Sequence, residues 1–142
     1  MRKITLIIVH CSATKPGHDI GAAEIRRWHT RDNGWDDIGY HYVIRRDGKV
    51  ESGRPLERAG AHTYGNNADS IGICLAGGIS ATGKAESNYT PEQWTALARL
   101  VSELVGSFPG AGVFGHRDFA RKDCPCFDAK AWWEGVKHEC DI

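Results

Sequence analysis

The sequence carries no excess of either charge. Lys plus Arg and Asp plus Glu stand at 18 each, which removes the electrostatic footprint of a general nucleic-acid binder. It also has no apolar run of transmembrane length, so membrane insertion is not expected. Residues 1–10 begin with the charges of a signal peptide, but the apolar run behind them is short and ends in His10. The segment reads as a buried strand, and no signal peptide is expected. Cysteine is scarce and odd in number, namely Cys11, Cys74, Cys124, Cys126 and Cys140. That excludes the disulfide framework of a small secreted domain and makes reduced thiols in a cytoplasm the default. Repeats, low-complexity segments and linkers are missing too.

What remains is the profile of one globular domain. The 142 residues are 41% hydrophobic and 25% charged, enough for a single core. Ile4 to Val9 is aliphatic almost throughout, as in a strand covered on both faces, and it delivers His10 at its C-terminal end. Alternation points Cys11 the other way, toward the core. A helix is expected from about Gly21 to Arg31, with Ala22, Ile25, Trp28 and His29 on its inner face. Gly39 to Arg45 reads as a strand turning through Arg46-Asp47-Gly48-Lys49 into Val50-Glu51-Ser52. Alternation there sets Tyr40, Tyr42 and Ile44 against His41 and Val43, so Tyr40 and His41 compete for any site at that end.

Gly53 to Asp69 is polar loop around His62, and Ser70 to Ala76 is a second buried strand. Its interior glycine, Gly72, marks close backbone approach or a ligand. Thr90-Pro91-Glu92-Gln93 spells a helix start, with Thr90 as N-cap and Gln93 closing a capping box. Trp94, Leu97, Val101, Leu104 and Phe108, widened by Ala98 and Val105, form the apolar stripe that follows. Ala111 to Phe114 is a short strand ending at His116, and a last helix runs from Asp128 to Val136. The expected fold is therefore α/β: a single domain with a central mixed β-sheet flanked by helices.

The densest chemistry lies between Gly115 and Cys126, where an imidazole, an ammonium, two guanidinium groups, two carboxylates and two thiols share twelve residues. Zinc takes imidazole nitrogen and thiolate sulfur together, and a catalytic zinc keeps three protein ligands and one open position. His10 and His116 both follow buried strands, so neighbouring strands would bring them together at the C-terminal edge of the sheet. Cys124 or Cys126 then supplies the third ligand, and chemistry alone does not choose between them. Lys122 is placed to approach an oxyanion beside the metal.

Ordered blocks along nearly the whole chain carry a resemblance. They are His10-Cys11-Ser12-Ala13-Thr14-Lys15-Pro16, Gly34-Trp35-Asp36-Asp37-Ile38-Gly39-Tyr40-His41, Arg46-Asp47-Gly48, Ser70-Ile71-Gly72, Cys74-Leu75-Ala76-Gly77-Gly78, Thr90-Pro91, Cys124-Pro125 and Trp132-Trp133-Glu134. In these the chain resembles the zinc-dependent N-acetylmuramoyl-L-alanine amidases of the phage lysozyme type, a group related to the peptidoglycan recognition proteins.

The resemblance implies a single catalytic domain over residues 1–142, acting as a monomer on bacterial peptidoglycan with one Zn2+. By it, His10, His116 and Cys124 match the metal ligands, Tyr40 and Lys122 match the residues assisting at the reacting amide, and His62, in a segment near the substrate groove, is a candidate substrate contact. The implied life history is synthesis in a host cytoplasm and action on the cell wall after release. A peptidoglycan-binding module without turnover is the alternative, although members that only bind lack the cysteine ligand. A phage RNA polymerase is a further implied partner, because one phage lysozyme of the family inhibits it. That lysozyme carries several more residues at its N-terminus. The chain departs from its close relatives at His116-Arg117-Asp118, where they have a second histidine after the first, and at Cys126, where they carry serine.

Overall fold

The computed structural model describes residues 2–140. Five strands and three helices follow one another as β1 (Leu6–Cys11), α1 (Ala22–Arg31), β2 (Tyr42–Ile44), β3 (Val50–Ser52), β4 (Ser70–Leu75), α2 (Pro91–Ser107), β5 (Gly112–Gly115) and α3 (Ala129–Cys140). They build one sheet in the order β3-β2-β4-β1-β5. Only the β2–β3 hairpin is antiparallel; β1 pairs in parallel with both β4 and β5, and β2 with β4. The expected mixed sheet flanked by helices is what forms. No helix is long and apolar enough to cross a membrane among the described residues.

The two faces of the sheet bury different things. Ile7, Val9, Cys11, Ile44, Ile71, Ile73 and Leu75 point to the face covered by α2 and α3, the larger core. Ile25 of α1, Ile38, Val43, Cys74 and Ala76 form the smaller cluster on the opposite face. His10 and Cys74 are register partners, so His10 belongs to that second face. Period-two alternation thus separates His10 from Cys11 as expected.

Helix α2 starts as its sequence specifies. Gln93 N–H donates to Thr90 Oγ1 at 3.1 Å, and Thr90 N–H donates to Gln93 Oε1 at 3.0 Å. Leu97, Leu100, Val101 and Leu104 are buried beneath it, each contributing roughly 1.5–3 kcal/mol. Leu100 joins the stripe unannounced. Gln93 is fully buried, and its amide donates to the carbonyls of Ile44 and Ala76, tying the helix start to two strand ends.

Helix α1 departs from expectation at Trp28, which is 39% exposed. Only Ala22 and Ile25 are buried on this short helix. The inward place near its end goes to His29, whose ring packs 4.8 Å from Trp35 and 5.5 Å from Tyr40. Its Nδ1 accepts the Gly39 N–H.

A second departure shapes the site. The strand expected from Gly39 narrows to Tyr42–Ile44 because the ladder is broken just before it. His41 N–H donates to Gly72 O, but Gly72 N–H donates to the His41 ring at 3.0 Å instead of to a carbonyl. Alternation therefore fails at Tyr40. Its ring joins the smaller cluster with Val43, rather than the face of Tyr42 and Ile44.

Candidate active site and metal centre

Strand register brings the two histidines together. Val9 pairs with Gly115 across β1 and β5, so the next residues, His10 and His116, lie side by side with ring centroids 4.5 Å apart. His116 opens a single 3-10 turn, which Asp118 closes by accepting the Gly115 N–H at 2.8 Å. The loop beyond folds back through Arg117 N–H donating to Cys124 O. This returns Cys124 to β1, where Cys11 N–H donates to Cys124 Sγ at 3.1 Å. One donor atom from each of His10, His116 and Cys124 then lies within 4.8 Å of the others.

Cys126 is not part of that group. Its backbone is in the left-handed region and its thiol donates to Gly78 O at 3.2 Å. Gly78, itself at φ +101°, leaves room for the Cys11 sulfur, which a Cβ there would meet at 2.6 Å. Of the two cysteines, the turn between them thus brings Cys124 to the histidines and Cys126 to Gly78. Cys11, Cys74, Cys124 and Cys126 are free thiols, and the side chain of Cys140 lies outside the described residues.

The electrostatics favour lone pairs on nitrogen. Burial holds His10 well below the usual imidazole value, with the His62 and His116 rings and then the Lys122 ammonium adding to it. His116 is lowered for the same first reason, with Lys122 second. Both rings are neutral at pH 7, the form in which imidazole binds a metal. Cys124 is pushed upward by its hydrogen bond to the Cys11 thiol and by burial, while that bond draws Cys11 down to about 6. A bound cation reverses this preference at Cys124, since a coordinating thiol is deprotonated.

Tyr40 stands beside the cluster with its ring 5.2 Å from His10. Burial, then the nearby thiols of Cys74, Cys124 and Cys11, raise its phenol well above the ordinary value, so it is a donor and not a base. Its place is held by backbone bonds, as Arg54 N–H donates to Tyr40 O and Ala61 N–H to Gly39 O. Lys122 and His116 line a groove of about 520 Å³ together with Trp35, His62, Tyr64 and Phe119, a size suited to a small-molecule fragment. His62 is mostly withdrawn from that groove, at 8% exposure, and bonds to His10 from behind.

His10, His116, Cys124, Tyr40 and Lys122 thus converge, and His41 does not. It is held by Gly72 N–H, Arg58 O and the Arg2 guanidinium. Thr63, which no motif singled out, and Ser70, to which no role was given, stand next to His10 and His62. The Ser70-Ile71-Gly72 block was the available signal for one of them.

A mixed sheet thus carries at its strand ends, beside an open groove, a His/His/Cys cluster that could hold a metal ion. The family model described as N-acetylmuramoyl-L-alanine amidase matches residues 1–127. The chain is 52% identical to the endolysin of Klebsiella phage KP32, covering 90% of this chain and 84% of that one. It is 49% identical to the endolysin of Escherichia phage T7 over the same shares. Among solved structures, the N-acetylmuramoyl-L-alanine amidase LysC from Clostridium intestinale superposes with a TM-score of 0.81 at 27% identity, covering 99% of this chain and 87% of that one. The chain belongs to the N-acetylmuramoyl-L-alanine amidase family.

Proposed function

We propose that the chain is a zinc-dependent endolysin that hydrolyses the amide joining the lactyl group of N-acetylmuramic acid to L-alanine of the stem peptide in bacterial peptidoglycan. The cluster of His10, His116 and Cys124 carries this reading. Two imidazole nitrogens and one thiolate fit zinc and leave a fourth position for water or substrate. Bound zinc lowers the pKa of a water and polarises the amide carbonyl.

The chain's own groups do the rest. The neutral rings of His10 and His116 and the thiolate of Cys124 hold the metal. Tyr40, as a phenol, donates a hydrogen bond to the reacting oxygen and orients the attacking water. The exposed ammonium of Lys122 stabilises the oxyanion that forms as the carbonyl becomes tetrahedral. Trp35, Tyr64 and Phe119 wall the groove and shape it around a sugar and peptide junction. Residues 1–142 act as one catalytic domain and as a monomer. The protein is made in the host cytoplasm and reaches the wall by a separate release route.

Incubation with purified cell wall tests the reading. Release of new L-alanine amino termini without new sugar reducing ends is expected. New reducing ends would mean a glycosidase and would sink it. Wall binding by zinc-replete protein without turnover would establish a binding module instead. Inhibition of a phage RNA polymerase that survives His10→Ala would mark a separate, metal-independent role.

A further inference from the structure

The ground behind His10 is polar on a sheet face that is otherwise apolar. His10, His62, Thr63 and Ser70 are all buried, between 0% and 8% exposed, and their side chains meet one another in a chain of short contacts. His10 Nε2 lies 2.9 Å from His62 Nδ1. Thr63 Oγ1 lies 2.9 Å from His62 Nδ1 and 3.2 Å from His10 Nε2. His62 Nε2 lies 3.2 Å from Ser70 Oγ.

Two features outside the chain of contacts hold His62 in place. The backbone N–H groups of His62 and Thr63 both donate to Asn67 Oδ1, at 3.0 and 2.9 Å. Gly72 provides the seat for the ring, because a Cβ there would lie 2.6 Å from His62 Cγ and Cδ2. The glycine inside β4 is therefore explained by a side chain packed on it.

Proton bookkeeping gives the network one direction. His10 can offer only one ring nitrogen to a metal, and Nε2 is engaged with His62. If Nδ1 carries the lone pair for the metal, Nε2 carries the proton and donates it to His62 Nδ1. His62 then has its proton on Nε2, where it donates to Ser70 Oγ. We propose that His62 is a positioning residue: it accepts the Nε2–H of His10, fixes that ring's tautomer and rotation, and so presents His10 Nδ1 to the zinc. This role builds on the zinc reading above and differs from the substrate contact that the resemblance implied for His62.

The first test needs neither metal nor variant. Nitrogen-15 spectra of the metal-free protein should show His10 protonated on Nε2 and His62 accepting at Nδ1. A His10 ring protonated on Nδ1 overturns the proposal. The second test titrates zinc against a chelator. His62→Ala should weaken zinc binding about 10–100-fold, as loss of a ligand's outer hydrogen-bond partner does. His62→Asn, whose Oδ1 replaces the Nδ1 acceptor, should recover most of it. Wild-type zinc affinity in His62→Ala, with only KM raised, overturns the positioning role and leaves His62 a substrate contact. A wild-type protein that binds no zinc overturns the metal reading itself, and the spectra then separate the two failures.

Discussion

His10 and His116 meet at 4.5 Å yet are held in opposite ways. His10 sits inside β1, 1% exposed, with its Nε2 bonded from behind. His116 stands on a 3-10 turn after β5, half-buried, and no hydrogen bond reaches its ring among the described residues. One side is therefore set before anything binds, and the other can adjust. A site made this way combines a candidate ligand braced by a buried hydrogen bond with one that lacks such a brace among the described residues. The stiff part lies in the sheet, where misplacement would disturb the core, and the soft part lies on the loop that also carries Lys122 and Cys124.

The largest test of this contrast removes the candidate ligands in turn. His10→Ala, His116→Ala and Cys124→Ser should each reduce bound zinc to background and abolish amide hydrolysis, measured by metal analysis and product release. The two histidines should separate in the metal-free protein. His10→Ala empties a buried position and removes one of the two partners of His62 Nδ1, leaving Thr63 Oγ1, and should cost roughly 0.5–3 kcal/mol in urea unfolding. His116→Ala should stay within about 0.5 kcal/mol of wild type. Equal destabilisation by both would break the comparison.

A smaller effect is expected from Gly72→Ala, which leaves every candidate ligand in place. The added methyl displaces the His62 ring from its seat, and overpacking of this kind costs roughly 1–3 kcal/mol. Zinc affinity should fall in parallel, read by chelator competition, although residue 72 touches no ligand. Unchanged affinity in a destabilised variant would mean that the ring behind His10 is only filler.

Acid provides a graded version of the same test. Burial holds His41 at about 4 and His62 at about 3, and His10 well below 6.5. Below pH 6.5 the unfolded chain takes up protons that these folded rings refuse, so stability of the metal-free protein rises with pH through this window. It should be complete above pH 6.5 and lost progressively between 6.5 and about 3. The carboxylates of Asp36 and Asp37, already lowered by their partners, titrate below 3.8 and enter later. Urea midpoints at pH 7.5, 6 and 5 check this, and a flat profile across them would contradict it.

The smallest effect is expected at Cys126→Ser. Its thiol bonds to Gly78 O and faces away from the cluster, so zinc content and turnover should match wild type. Loss equal to that of Cys124→Ser would show that the loop can exchange its sulfurs.

Much of this was legible in the chain because it depends on near neighbours. A capping box needs four consecutive residues, and Thr90 to Gln93 form it as read. The turn between β2 and β3 lies within Arg45 to Lys49, and the opposite facing of His10 and Cys11 follows from strand period alone. The failures are as local in position but not in cause. Tyr40 left its predicted face because a ring from the next residue took the place of a carbonyl in the ladder with β4. Trp28 is exposed because α1 covers the sheet with only two residues.

By itself the sequence determined the elements, the family and the candidate ligands His10 and His116, since strand ends and ordered motifs are properties of contiguous residues. Tertiary structure brought Cys124 and not Cys126 to the two histidines, set the Tyr40 ring beside His10, and enclosed His62, Thr63 and Ser70 behind His10. Those outcomes rest chiefly on contacts between residues far apart in the chain, such as Gly72 with His41, His10 with His62 and Cys11 with Cys124. Only the packed sheet creates the low-dielectric interior in which each buried polar group must find one particular partner.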